Sequence, residues 1–244
     1  LPNKILKSRQ SQAINCLDCP SRPLCITGGL VHKTEIEEVN DVIMNSITLK
    51  KQKHLFHAHT SMKNIYAVYS GSCKEYWIDE NGNECLTNFY FPGDLIALES
   101  IPDRTNLLSV SALEDSELCV LPLNELYPVM QKHLNVLKRF IAITGNKMRN
   151  DRSTKMGVTA NERVSDFLLN IISRMLERNQ TEKNIPLPMS QLDISNYLGI
   201  AHETVNRIFK NLKDQEIIKI ENKMMTLLDL DELERLGRLD YSLK

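Results

Sequence analysis

The sequence predicts an α+β chain: an N-terminal β-roll, a long helix behind it, and a C-terminal winged helix-turn-helix. Three observations carry that prediction. Gly71, Gly82 and Gly93 recur every 11 residues through a series of short apolar runs, the punctuation of a strand-and-turn module. Beyond Pro128 the apolar residues repeat in alternating steps of 4 and 3, which is helical. Near the C-terminus two short amphipathic segments flank Gly199 and lead into two strand-like runs.

The 244 residues are 42% hydrophobic and 25% charged, with 30 Lys plus Arg against 31 Asp plus Glu. That balance suits a globular chain with room for more than one small domain. No uncharged apolar stretch reaches the roughly 18 residues of a spanning helix, and Leu1-Pro2-Asn3-Lys4-Ile5-Leu6-Lys7 has no signal-like apolar core. A cytoplasmic location without membrane association is therefore expected. No nicotinamide or flavin fingerprint and no Ser/His/Asp arrangement is readable, so no enzyme is expected. Charge is distributed unevenly: residues 138–163 carry 7 basic and 2 acidic side chains, against 12 and 16 before them and 11 and 13 after. This basic strip can touch a polyanion or form a solvated helix face.

Residues 1–30 form a cysteine loop. Cys16-x2-Cys19-x5-Cys25 clusters three thiolates, the ligand type for soft metals and iron-sulfur clusters. Pro20 and Pro23 restrict the loop, and Gly28-Gly29 lets the chain leave it. Six cysteines placed so unevenly do not make a disulfide scaffold. Cys119, at the end of the β region, is the best distant candidate for a fourth ligand, whereas Cys73 and Cys85 fall in predicted strands as small apolar residues. A four-thiolate zinc site and oxidation-sensing free thiols use the same residues, and spacing alone does not separate them.

Residues 31–125 form the β-roll. Ile36, Val39, Ile43 and Ile47 predict a helix over 34–47 that packs on it, and Asn81-Gly82 predicts a two-residue hairpin turn. His54, His57 and His59 at a strand start read as solvated surface. Residues 126–158 form a long helix with a heptad seam of Met130, Leu134, Leu137, Ile141, Thr144 and Met148. A second stripe, Val129, Val136, Phe140 and Ile143, implies that one face meets its own domain and the other a second copy; one helix inside a single core is the alternative.

Residues 159–244 form the winged helix-turn-helix. Thr159 with Glu162 makes a capping box for a helix carrying Phe167, Leu168, Ile171, Ile172 and Met175, and Ile185-Pro186-Leu187-Pro188 is a rigid link. Ser190 and Asp193 cap the next helix, Gly199 suits a left-handed turn, and a second helix follows from about His202 to Lys213. With Val205, Ile208, Phe209 and Leu212 inward, His202, Glu203, Asn206 and Arg207 are left to face a major groove. Residues 217–220 and 224–228, joined by Glu221-Asn222-Lys223, form the wing.

Taken together, several segments resemble the FNR family, within the cAMP receptor protein/FNR superfamily. They are the ten residues from Cys16 to Cys25, Ile65-Tyr66-Ala67-Val68-Tyr69-Ser70-Gly71, Pro92-Gly93-Asp94-Leu95, residues 112–119, Asn161-Glu162-Arg163, and Asn196-Tyr197-Leu198-Gly199 with Glu203-Thr204-Val205-Asn206-Arg207. The resemblance implies a cyclic-nucleotide-binding-like sensor roll, a 4Fe-4S cluster on Cys16, Cys19, Cys25 and Cys119, and an oxygen-responsive homodimer. It also implies control of transcription from a palindromic site on double-stranded DNA, with RNA polymerase as a partner. The chain departs from the family at Asn206, where the family has Ser, and at Met148, where it has an acidic residue; Asp151 lies one seam step later. A cyclic-nucleotide or other small-ligand regulator on the same fold is the alternative, because Gly93-Asp94-Leu95 and Arg104-Thr105 keep the separation of a nucleotide-binding pair.

Overall fold

The structure is a computed structural model that describes residues 14–43, 45–153, 159–176 and 184–238. In chain order its elements are α1 (Lys33–Val42), β1 (Asn45–Leu49), β2 (His54–Phe56), β3 (Asn64–Ser70), β4 (Cys73–Ile78), β5 (Glu84–Tyr90), β6 (Leu95–Ile96), β7 (Ser109–Ala112), β8 (Ser116–Pro122), α2 (Leu123–Lys132), α3 (Leu134–Ser153), α4 (Ala160–Leu176), β9 (Ile185–Pro186), α5 (Gln191–Leu198), α6 (His202–Asp214), β10 (Ile218–Glu221), β11 (Met224–Leu227) and α7 (Leu230–Leu236). Packing divides the chain into two units. One holds Leu1–Cys73 and Tyr90–Ile141, the other Lys74–Phe89 and Ala142–Lys244.

In the first unit a four-stranded sheet runs β1-β8-β3-β6. Its antiparallel register sets Cys119 in β8 between Ser46 and Ala67, and Leu118 beside Ile47. Ile65, Leu118, Leu121 and Ile96 are fully buried in this sheet, with Leu123 and Leu126 of α2. Ile36, Val39 and Val42 supply the buried face of α1, which packs against α2. The helix expected over 34–47 stops at Val42, because Ile43 leaves helical geometry at ψ 81°, and Ile47 is a strand residue.

The long helix is two helices. His133 is extended (φ −120°, ψ 99°) and separates α2 from α3, so Met130 belongs to α2 and lies in the core at 5% exposure. Its place in the expected seam is corrected accordingly. Leu134, Ile141 and Met148 on α3 are 59%, 60% and 57% exposed, while Leu137 and Thr144 are half-buried and Val136 is fully buried. Seven-residue spacing keeps the three exposed side chains on one line of the helix.

In the second unit the β4 and β5 segments form a hairpin whose loop is longer than the expected two-residue turn. The Asp79 N–H donates to the Asn83 carbonyl at 3.0 Å, enclosing Glu80, Asn81 and Gly82, and Gly82 takes the left-handed position at φ 82°. Asp79 favours this form because its carboxylate accepts from the Asn81 and Asn83 backbone N–H groups. The Thr159–Glu162 capping box forms reciprocally and starts α4 at Ala160. Phe167, Leu168, Ile171 and Ile172 of α4 are buried.

The wing has three strands, β10-β11-β9, because Ile185 and Pro186 pair with Met225 and Met224. The segment expected as a rigid link thus begins as an edge strand, where Pro costs no ladder bond. Asn222 and Lys223, with φ of 49° and 62°, make the tight turn between β10 and β11. The short helix α7 was not expected from the sequence; it packs on α4, where the buried Asp166 carboxylate accepts from the Arg238 N–H at 2.9 Å.

Candidate functional site

The cysteine loop is a run of tight turns closed on itself. Cys25 N–H donates to Ser21 and Arg22 carbonyls, and Gly28 N–H to the Cys25 carbonyl at 2.9 Å. Arg22 reaches along the loop to the Leu30 carbonyl at 2.8 Å. Two outside residues fasten it: Asn40 of α1 accepts from the Cys16 N–H at 2.9 Å, and Arg139 of α3 donates to the carbonyls of Pro23 and Cys25. Neither residue carries a motif, so sequence reading passed over both.

Cys119 stands within electrostatic reach of all three loop cysteines. Burial pushes its thiol well above the ordinary range, and negative charge on Cys25, Cys16 or Cys19 raises it further. Burial likewise pushes Cys16 up to about 12, with Cys25 and Cys19 adding to it. Cys25 is pushed up to about 11, mainly by burial, although backbone N–H groups and Arg139 act in the other direction. Thiols whose ionisation is opposed by neighbouring thiolates, as at Cys119, Cys16 and Cys25, would be stabilised as thiolates by a shared cation. Cys73 is also buried and pushed up to about 12, but its influences are Ser116 and Glu114, not the loop. Cys85 is half-buried on β5. Among the described residues, no three His, Cys, Asp or Glu side chains converge as ligands of a single metal ion do.

The loop also covers the Gly93-Asp94 turn. A Cβ on Gly93, whose φ is +96°, would fall 2.7 Å from the Leu24 Cβ and 3.2 Å from the Ser21 carbonyl. Asp94 accepts from the Phe91 N–H at 2.7 Å, so its carboxylate holds the turn. Arg104 lies over the Tyr127 ring, 5.5 Å from its centroid, and reaches Asn124.

In the second unit the capping box at Ser190 and Asp193 and the left-handed Gly199 (φ 61°) build the helix-turn-helix as expected. Arg163 donates to the Leu198 carbonyl at 3.1 Å, tying α4 to the end of α5. Val205, Ile208, Phe209 and Leu212 form the inner face of α6, leaving His202, Glu203 and Arg207 exposed. Asn206 sits deeper. It is half-buried, and its Oδ1 is buried without a hydrogen-bond donor among the described residues. Arg149, Asp151 and Arg152 of the basic strip have side chains outside the described set, as does all of Lys155.

Comparison with known proteins agrees with this architecture. Residues 46–133 match the cyclic nucleotide-binding domain and residues 162–236 the Crp-like helix-turn-helix domain. The chain is 30% identical over 228 residues to the fumarate and nitrate reduction regulatory protein of Vibrio cholerae, covering 92% of this chain and 91% of that one. It is 29% identical to the transcriptional activator protein Anr of Pseudomonas protegens, covering 92% and 93%. Among solved structures, FixK2 of Bradyrhizobium japonicum superposes with a TM-score of 0.71 at 25% identity, over 80% of this chain and 98% of that one. This similarity over 92% of the chain, together with the two domain matches, places the chain in the FNR family of DNA-binding transcription regulators, within the cAMP receptor protein/FNR superfamily, and not among enzymes.

Proposed function

We propose that the chain is an oxygen-responsive transcription regulator whose Cys16, Cys19, Cys25 and Cys119 hold a 4Fe-4S cluster, and that it acts in the cytoplasm as a homodimer on a palindromic DNA site, with RNA polymerase as partner. What supports this reading is the placement of Cys119 by β8 where the charge of the three loop thiols acts on it, in a chain of the FNR family. An all-thiolate donor set fits iron-sulfur chemistry. When bound, such a cluster supplies a centre that reacts with oxygen.

The protein's own residues supply the rest. Backbone turns at Ser21 and Cys25 fix the path of the loop, and β8 holds Cys119. Leu134, Ile141 and Met148 offer an apolar line for a second copy, which a two-fold axis would complete. Glu203 and Arg207 are available for base edges in each half-site, where Arg pairs with guanine and Glu accepts from cytosine. Against a cyclic-nucleotide ligand stand the engagement of Asp94 within its turn and the packing of Leu24 over Gly93.

Anaerobic purification followed by iron and sulfide analysis and a visible spectrum tests the proposal. Iron and sulfide in equal amount, with a visible band that bleaches in air and a parallel loss of DNA binding, is expected. Protein that is colourless, binds zinc, or binds DNA equally before and after air exposure refutes it.

A further inference from the structure

We infer that Arg139 is the positioning residue that links the cysteine loop to α3, so that the folded state of the loop sets the state of the helix carrying the exposed apolar line. This rests on the proposed function, in which the loop thiols share a ligand.

The contact is specific. Arg139 Nε donates to the Cys25 carbonyl at 3.0 Å and Nη2 to the Pro23 carbonyl at 2.6 Å. Both acceptors belong to the turn that presents Cys25, one on the cysteine itself and one two residues before it. A guanidinium is a planar fork, so it satisfies both carbonyls only while they keep this spacing and direction. Gly28 keeps the seat open: a Cβ there would fall 2.7 Å from Arg139 Nη2 and would also collide with the Pro23 carbonyl.

Placement on the helix gives the contact its consequence. Arg139 follows Leu134 by five residues and precedes Met148 by nine. At about 100° per residue this puts it on the side of α3 opposite the line of Leu134, Ile141 and Met148. One face of a single helix therefore holds the loop while the other is free for a second copy. When the loop thiols lose a common partner, the turn relaxes, the two carbonyls diverge, and the fork can hold only one. The N-terminal part of α3 then loses a tether that the rigid helix would otherwise carry into its exposed face. Coupling of this kind is reciprocal: a second copy bound to α3 tightens the loop in turn.

The test uses the full chain as wild type, Arg139→Ala and Arg139→Lys. Each is reconstituted anaerobically with saturating iron and sulfide, and dimer dissociation constants are measured by sedimentation for the reconstituted and the metal-free forms. Arg139→Ala is expected to take up iron and sulfide like wild type, while the ratio between its two dissociation constants shrinks about tenfold. Arg139→Lys, a cation that cannot span both carbonyls, is expected to restore only part of the ratio. A wild-type ratio in Arg139→Ala overturns the inference. Loss of iron and sulfide uptake in that variant also overturns it, since Arg139 would then merely build the loop.

Hydrogen exchange on the metal-free proteins separates this inference from the proposed function. Faster exchange in residues 22–30 of Arg139→Ala, together with a changed metal-free dimer constant, supports the link even if wild type takes up no iron. Unchanged loop exchange overturns the link whatever the metal content.

Discussion

Leu24 and Gly93 meet so closely that the second must be glycine: a Cβ on Gly93 would come within 2.7 Å of the Leu24 Cβ, at a backbone φ of +96° that L side chains rarely adopt. Gly93→Ala should therefore both strain the turn and push the cysteine loop off it. Gly82 shares the positive φ but has nothing within 4 Å, so Gly82→Ala isolates the backbone cost. We expect Gly82→Ala to destabilise by about 1 kcal/mol and Gly93→Ala by about 2 to 3. Thermal unfolding measures both, and only Gly93→Ala should speed alkylation of Cys16, Cys19 and Cys25.

Cys119→Ser should abolish stable iron and sulfide uptake, whereas Cys73→Ser should leave it near the wild-type level. Cys73 lies under the influence of Ser116 and Glu114, away from the loop thiols. Elemental analysis after anaerobic reconstitution decides the point. Full uptake in Cys119→Ser, or none in Cys73→Ser with the fold intact by circular dichroism, would contradict the assignment.

Met130 and Ile141 should separate stability from association. Met130 is 5% exposed, and truncation to Ala should cost about 2 to 3 kcal/mol of folding stability. Ile141 is 60% exposed, so Ile141→Glu should leave monomer stability nearly unchanged and place a charge, repeated by symmetry, in the proposed dimer seam. Sedimentation should show Ile141→Glu as monomer at concentrations where wild type is dimeric.

Base reading should rest on Arg207 more than on Asn206. Bidentate pairing with adenine needs both amide atoms of Asn, and the Oδ1 of Asn206 is buried. Truncating Arg207 should cost on the order of 1 to 3 kcal/mol and relax one base position. Asn206→Ser should leave the profile from randomised-duplex selection largely unchanged; a new preference at one position would show that Asn206 rotates outward on the DNA.

Asp193 should confer an acid-sensitive share of stability on the second unit. Its burial raises the carboxyl pKa, but bonds from the Ser190 hydroxyl and N–H, together with Lys74, outweigh burial and hold it below the usual 3.8. Lys74 is itself nearly enclosed between Glu84 and Asp193. A folded value below the unfolded one gives stability that is fully present above about pH 4 and lost as pH falls through the folded value. Melting temperatures of wild type should therefore drop from pH 5 to pH 3 more than those of Asp193→Asn.

Local chemistry was legible in the residues themselves. Capping boxes at Thr159 and Ser190, the left-handed Gly199 and the apolar face of α6 each depend on neighbours within a few positions, so spacing alone exposes them. For the same reason the winged helix-turn-helix and the strand-rich N-terminal domain are predictable in kind. Elements whose ends depend on distant packing were not: Ile47 has helical spacing from Ile36 but is drawn into β1 by pairing with Leu118. Heptad spacing could not reveal the break at His133, which separates Met130 from the exposed line on α3. Helix α7 is short and charged, and packing on α4 gives it its place.

Sequence alone thus picked out the candidate residues: the cysteine cluster, the polar face of α6 and a heptad seam. Tertiary structure decided which of them meet. Cys119 comes under the electrostatic influence of the loop thiols from a strand, β8, that the register between β1 and β3 fixes. Arg139 reaches the Pro23 and Cys25 carbonyls because Val136, fully buried on the same helix, holds that face of α3 inward. Neither contact has a local signature, since each joins segments far apart in the chain through packing that no short window of residues contains.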